Sequence, residues 1–210
     1  MAYFPFFVEL EGQRGLVAGG GTVALRKVEK LLPYGAQLTV AAPKIHKELQ
    51  KLADRKAITV QPEAVRPEMA DAYDFVVAAT DDPELNHALA ARCRERKIPV
   101  NVVDDKAYCS FLFPSLVQSG PLSVGISTGG ASPTAAVWLR KRIERLLPES
   151  LPEILCWLEQ LRPTMFRILP TESRRAKAYA TLLESALKKG RPLNDTEMIL
   201  LLFPKWEMRG

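Results

Sequence analysis

Three consecutive glycines, Gly19, Gly20 and Gly21, stand between the apolar run Leu16-Val17-Ala18 and a stretch of helical character that begins at Val23. The spacing Gly19-x-Gly21-x-x-Ala24 is the one with which a strand–turn–helix unit takes the pyrophosphate of a dinucleotide. The first glycine allows the tight turn, the second lets the backbone approach the phosphates, and the small third residue lets helix and strand pack closely. The helix N-terminus adds free N–H groups and a positive dipole end. Gly19, Gly20, Gly21, Thr22 and Val23 are therefore candidate cofactor contacts. The competing reading is a glycine-rich turn that binds nothing, and the strand before and helix after weigh against it.

Oxidation with a nicotinamide cofactor removes a hydride, and a proton must leave as well. Asp104 follows an apolar strand, where its carboxylate can act as general base. Asp104 or the adjacent Asp105 can equally cap the loop that follows. A second strand ends in Ala41-Ala42-Pro43-Lys44, where an acid that would bond the ribose hydroxyls is missing. Pro43 and Lys44 are candidate contacts there, with Lys44 near a ribose, near a 2′-phosphate, or simply in solvent. Ala79 and Thr80 supply small residues where the backbone passes the nicotinamide half. Asp82 before Pro83 reads as a helix N-cap and not as a catalytic acid.

The elements that must hold these residues alternate. Strand signals at residues 16–18, 37–42, 58–61, 75–79 and 99–103 are separated by helix signals at 23–32, at 45–53 and from Pro83. This predicts a Rossmann-type parallel sheet with ligands at the carboxyl ends of its strands. Further on, a strand over 122–126 leads through Ser127-Thr128-Gly129-Gly130 to a helix over 134–147, with Ser132 as N-cap and Pro133 in its first turn. The glycine turn can present backbone donors and the Thr128 hydroxyl to a carboxylate, or be an ordinary turn. Val137, Trp138, Leu139, Ile143 and Leu146 form an apolar face expected in a core or an interface. The tail reads as helices, amphipathic over 171–187 and strongly apolar over 196–202.

The 210 residues carry a net charge of +5, with 47% hydrophobic and 25% charged residues, ordinary for a folded domain. The charge is uneven. Residues 1–113 hold 15 basic and 15 acidic residues, and residues 114–210 hold 14 and 9. A basic second half suggests an anionic ligand. Nucleic acid fits less well, because the basic residues lack interleaved aromatics. Arg162, Arg167, Arg174 and Arg175 could meet ligand carboxylates. The N-terminus lacks a signal-peptide pattern, no apolar run reaches membrane-span length, and Cys93, Cys109 and Cys156 fit neither a disulfide framework nor a metal site. These features favour a cytoplasmic protein without a membrane partner. His46 and His87 read as structural, and no metal ligands are assigned.

Several of these motifs together resemble one family. They are Phe4-Pro5-Phe6-Phe7-Val8, Val17-Ala18-Gly19-Gly20-Gly21-Thr22-Val23-Ala24-Leu25-Arg26-Lys27, Ala78-Ala79-Thr80-Asp81-Asp82, Asn101-Val102-Val103-Asp104, Ser110-Phe111-Leu112-Phe113-Pro114-Ser115 and Ser127-Thr128-Gly129-Gly130-Ala131-Ser132-Pro133. In this order they are similar to the siroheme synthase N-terminal family, the precorrin-2 dehydrogenases, some of which are also sirohydrochlorin ferrochelatases. The likeness is good over about the first 150 residues and loose over the last 60.

The resemblance implies NAD-dependent oxidation of precorrin-2, an anionic tetrapyrrole with eight carboxylates, to sirohydrochlorin. It places the catalytic base on Asp104 and cofactor contacts on the glycine turn with Thr22 and Val23 and on Pro43 and Lys44. Ser127, Thr128, Gly129 and Gly130 become candidate substrate contacts. It also implies a homodimer, with a Rossmann domain at 1–113, a small α/β dimerisation segment at 114–150 and a helical C-terminal domain at 151–210. Insertion of Fe²⁺ is a second activity that some relatives perform with the same aspartate. The chain contains no methyltransferase domain, so methylation is expected from a separate protein. Two other classes compete: a module that senses NAD(H) without needing Asp104, and a non-catalytic tetrapyrrole carrier without need of the glycine turn.

Overall fold

Short apolar runs become the strands of one parallel sheet because helices cover both of its faces. The computed structural model describes residues 3–203, so the first two residues and the end of the expected tail, 204–210, lie outside the described residues. The chain divides into one unit of Phe4–Phe113 and another built chiefly from residues after Phe113.

In the first unit, β1 (Arg14–Ala18), β2 (Gln37–Ala41), β3 (Thr59–Gln61), β4 (Phe75–Ala78) and β5 (Val100–Val102) run parallel in the order β3-β2-β1-β4-β5. Between them lie α1 (Thr22–Leu31), α2 (Lys47–Asp54) and α3 (Pro83–Arg96). Alternate strand residues serve opposite faces, following the period of two. Leu16, Ala18, Val76, Ala78, Val100 and Val102 pack with Leu89, Ala90 and Cys93 of α3. Val17, Phe75 and Val77 pack with Ala24, Val28 and Leu31 of α1 and Leu49 of α2. The Cys93 thiol is buried deeply enough that desolvation pushes its pKa to about 11.

Element types match expectation and boundaries shift by a residue or two. Helix α1 starts at Thr22 and ends at Leu31. Residues Leu32–Tyr34 then tighten into a 3₁₀ turn that Gly35 closes at φ +72°, because Pro33 cannot supply the donor that would continue the helix. Asp82 caps α3 as expected, its Oδ1 accepting from the backbone N–H of Glu84 at 2.9 Å and of Leu85 at 3.2 Å. His46 caps α2, its ring Nδ1 accepting from the Glu48 N–H at 3.2 Å. A 3₁₀ turn over Pro67–Ala72, which carries no clear periodicity, packs against α3.

The second unit begins with an antiparallel hairpin, β6 (Ser115–Ser119) and β7 (Leu122–Ile126), turning at Gly120 with φ +58°. Strand β6 has no strand signal of its own, since its two apolar residues sit between serines, and pairing with β7 makes it a strand. Helix α4 (Pro133–Leu146) follows, with the Ser132 hydroxyl accepting from the Ala135 N–H at 3.1 Å. Then come α5 (Leu151–Gln160), α6 (Arg162–Ile168), α7 (Glu172–Lys189) and α8 (Asp195–Leu202) around Ile154, Met165, Ala178, Leu182, Ala186 and Leu193. Asn194 and Glu197 form a reciprocal cap at α8. Arg191 and Lys189 beside Glu197 hold its carboxyl well below the usual range.

Candidate active site

The order β3-β2-β1-β4-β5 makes β1 the point where the chain reverses direction across the sheet. A crevice is expected there, outside the carboxyl ends of the strands. The structure has a cleft of about 600 Å³ at that point, lined by the glycine turn after β1, by Ala42, Pro43, Lys44, Ile45 and His46 after β2, and by Ala79, Thr80 and Asp81 after β4. Ala64, Val65 and Leu85 add apolar wall. The sequence brings Gly19, Gly20, Gly21, Pro43, Lys44, Ala79 and Thr80 to this cleft. Thr22 and Val23 sit beside it in the first turn of α1 and do not line it.

The three glycines do different work. Gly19 has φ +120°, and a Cβ on it would lie 2.2 Å from the carbonyl oxygen of Ala79. Its N–H donates to the Ala41 carbonyl at 2.9 Å, so it is wedged between the ends of β2 and β4. A Cβ on Gly20 would lie 2.1 Å from the Lys44 carbonyl oxygen, and the Gly20 carbonyl accepts from the His46 N–H at 2.8 Å. Gly21 caps α1 in extended conformation, and a Cβ there would meet nothing within 4 Å. That open space, a helix N-terminus without a side-chain cap, and a first turn without acidic residues suit a bound pyrophosphate. The dinucleotide of the sequence motif thus fits the residues present.

Thr80 is held by a residue the motifs did not single out. Asn86 of α3 is buried; its Oδ1 accepts from the Thr80 N–H at 3.2 Å and hydroxyl at 2.8 Å, and its Nδ2 donates to the Thr80 carbonyl at 3.0 Å. The available signal was an amide on a helix face otherwise made of Leu89, Ala90 and Cys93. At the end of β2 the exposed Lys44 has no acidic neighbour on its own loop.

Asp104 is exposed just beyond β5, on the same sheet edge as the cleft, and takes a left-handed backbone conformation with φ +59°. Asp105 is committed elsewhere. Its Oδ1 accepts from the Ala107 N–H at 3.2 Å, and its Oδ2 lies 2.8 Å from His87 Nε2. The loop cap is therefore Asp105, which leaves Asp104 as the carboxylate on offer. Cys109 knits the same loop, its Sγ donating to the carbonyls of Val102 at 3.2 Å and Asp105 at 3.3 Å. Asn101 is 5% exposed and donates from Nδ2 to the Phe111 carbonyl at 3.0 Å. Its Oδ1 is buried without a hydrogen-bond partner among the described residues.

Lys27 is a further residue that sequence reading passed over. It lies on the Ala24, Val28 and Leu31 stripe of α1, at a spacing that points it inward. Its ammonium sits 3.9 Å from the centroid of the Phe113 ring, a cation–π contact. Burial lowers its pKa and outweighs the opposing pull of Cys109 and Asp104.

In the second unit, the turn after β7 contains Gly129 at φ +63° and Gly130 at φ +89°. The Thr128 hydroxyl is used inside that turn, donating to the Ser132 carbonyl at 3.1 Å and accepting from the Ser132 N–H at 3.0 Å. The Ser127 hydroxyl likewise accepts from the Gly129 N–H at 3.1 Å. Arg175 donates from Nη1 to the carbonyls of Leu169 and Pro170, both at 2.9 Å, and lies over the Phe166 ring. On α4, Trp138 is 55% and Leu146 79% exposed, so that face is not core within the unit. Among the described residues no group of three or more His, Cys, Asp or Glu side chains is placed to hold a metal ion, and no helix is long and apolar enough to cross a membrane.

Residues 6–115 match the family described as "Putative NAD(P)-binding". Residues 119–146 match the one described as "Sirohaem biosynthesis protein central". The chain is 40% identical over 184 residues to the siroheme synthase of Thioalkalivibrio sulfidiphilus, covering 88% of this chain and 38% of that protein. It is 37% identical over 205 residues to the siroheme synthase of Mannheimia succiniciproducens, covering 96% and 43%. It thus spans well under half the length of these relatives. Its fold is similar to that of a solved structure titled SirC, precorrin-2 dehydrogenase, with TM-score 0.74 and 24% identity over 95% of this chain and 97% of that one. Because the first match spans more than half of its length, and because the glycine turn, the open Gly21 and the strand order all lie within it, the chain belongs to this NAD(P)-binding family.

Proposed function

We propose that this chain oxidises precorrin-2 to sirohydrochlorin with NAD, as a precorrin-2 dehydrogenase of siroheme biosynthesis. The observation that carries the reading is the placing of an open dinucleotide cleft and a free carboxylate, Asp104, on one edge of one sheet. The likeness to siroheme synthases and the sirohaem match of the following segment supply the substrate class.

The oxidation removes two electrons and two protons, as one hydride and one proton. A bound nicotinamide would supply the hydride acceptor. Gly19, Gly20 and Gly21 with the N-terminus of α1 would hold its pyrophosphate. Ala79 and Thr80, the latter fixed by Asn86, would serve the nicotinamide half. The Asp104 carboxylate takes the proton, while Asp105, engaged on both oxygens, does not compete. Lys27, half-buried against the Phe113 ring, lies close enough to Asp104 for the two charges to interact. The basic excess after residue 113 suits a substrate rich in carboxylates, and the turn Ser127-Thr128-Gly129-Gly130 is the candidate segment to meet them. A second copy of the chain fits the exposed apolar residues Val137, Trp138 and Leu146 of α4 and Phe4, Phe6 and Phe7.

The test is anaerobic. Enzymatically generated precorrin-2 is mixed with the protein and NAD or NADP, the visible spectrum is followed, and Fe²⁺ is then added as substrate. The expected result is a sirohydrochlorin spectrum with NAD. Equal rates with NADP would assign Lys44 to a 2′-phosphate. Acceleration of the iron-dependent change over a control without protein would add the chelatase step. A protein that binds NAD(H) but changes no spectrum would be the sensing module instead.

Replacing Lys27 by Met should lower the rate without lowering stability at neutral pH. In the fold, burial favours the neutral amine, so the unfolded chain holds that proton more tightly. Stability from this residue therefore rises with pH in the window just below the ordinary lysine value of 10.5. In the Met variant that rise is absent. Melting temperatures of both proteins at pH 7 and pH 10 check the sign: the gap between variant and parent should shrink at the higher pH.

A further inference from the structure

Among the described residues only Lys56, Lys97 and Asp104 have positive φ without being glycine. Lys97 is the C-cap of α3, and Lys56 follows the C-cap of α2. Left-handed residues are commonly found where helices end, which accounts for both. Asp104 ends no helix; it is the third residue of a turn closed by the Asp105 N–H on the Val102 carbonyl, so whatever holds Asp105 holds its conformation.

The surroundings are two-sided. From within the loop, the Asp105 N–H donates to Val102, Cys109 Sγ bonds back to Val102 and Asp105, and the Ser110 N–H donates to the Val100 carbonyl at 2.8 Å. From α3, His87 reaches across. Its Nε2 lies 2.8 Å from Asp105 Oδ2, and its ring stacks on Tyr108 with centroids 3.8 Å apart and planes 9° from parallel. One imidazole therefore holds both the residue that caps the 3₁₀ turn Lys106–Tyr108, Asp105, and the last residue of that turn, Tyr108.

We infer that His87 is a positioning residue for Asp104, clamping the loop after β5 so that the Asp104 carboxylate is presented in one backbone conformation. This rests on the general-base reading of Asp104 and deepens it. Asp104 and Asp105 are neighbouring carboxylates, and the His87 N–H donated to Asp105 both occupies the second acid and fixes its direction. Helix α3 then steadies two strand ends from adjacent residues, with Asn86 on the loop after β4 and His87 on the loop after β5. The sequence alone favours no such role, because a lone histidine inside a helix reads as packing.

The test uses the full chain with His87→Ala and His87→Gln. The Gln amide can place an N–H donor near the former ring Nε2 while losing the stack on Tyr108. In His87→Ala, kcat should fall by about tenfold to a hundredfold, the size expected from a misplaced group, with KM for precorrin-2 and the Kd for NAD unchanged. Amide hydrogen exchange over residues 103–110 should quicken while that of β1 and β4 stays as it was. His87→Gln should recover much of both. Unchanged kcat and unchanged exchange in His87→Ala overturn the clamp, as does a loss of protection spread evenly through the sheet and not rescued by Gln. If the parent protein fails to oxidise precorrin-2, the catalytic reading falls separately, and the exchange over 103–110 still decides the clamp.

Discussion

Asparagine at position 104 should lower the oxidation of precorrin-2 by about 10²–10⁴-fold, the range a positioned general base contributes. Asparagine is the informative replacement because of the backbone. Asp104 has φ +59°, a conformation that Asn and Asp tolerate better than other side chains with a Cβ. Asp104→Asn keeps that turn and removes only the basic oxygen. Asp104→Ala should lose the same activity and in addition about 1 kcal/mol of stability through the left-handed backbone. NAD affinity should be unaltered in both, since Asp104 does not line the cleft that holds the glycine turn. Stopped-flow spectra under anaerobic conditions, with a fluorescence titration of NADH, separate the two quantities. Normal turnover by Asp104→Asn would remove Asp104 from the mechanism. With Asp105 held by His87 and the Ala107 N–H, Asp81 in the cleft wall would be the next carboxylate to replace.

The second large effect divides the three glycines. Gly21→Ala should leave the melting temperature nearly unchanged, because its new Cβ enters open space. It should weaken cofactor binding by about 10- to 100-fold, if the methyl costs the roughly 1–3 kcal/mol typical of intruding on a filled site. Gly20→Ala should do the reverse. Its Cβ would sit 2.1 Å from the Lys44 carbonyl oxygen, a backbone atom that cannot swing away. The cost is about 3 kcal/mol of overpacking, or about 6–12 °C in melting temperature for a domain of this size. Gly19→Ala combines a clash at 2.2 Å with a φ of +120° and should harm folding most. Calorimetry and NADH titration on the three variants test the assignment. If Gly21→Ala binds NADH as the parent does, the pyrophosphate does not lie against Gly21.

These glycines also show where sequence reading stops. The pattern Gly19-x-Gly21-x-x-Ala24 predicts a turn that admits phosphates, and the cleft lies there. The pattern leaves Gly20 as an unspecified residue. The structure makes Gly20 indispensable through Lys44, which is 24 positions later in the chain and lies against it only after β2 has paired with β1. The strands and helices of the first unit were legible because their periodicities are strong and buried faces demand them. Strand β6 was not, since its two apolar residues become a strand only through pairing with β7. Asn86 and His87 were opaque for the same reason. Each acts on a residue that is adjacent in space and distant in sequence, and a helix pattern records which face is buried but not what the polar residues on it touch.

The choice between Asp104 and Asp105 draws that line most sharply. Sequence by itself determined the parallel sheet, the glycine turn, the absent ribose acid and two acids after β5, because local propensity and periodicity carry that information along the chain. Only the tertiary structure decided which acid is free. The packing of α3 beside β5 delivers the His87 ring to Asp105 and Tyr108, and no local rule encodes a hydrogen bond that forms only once two elements have docked.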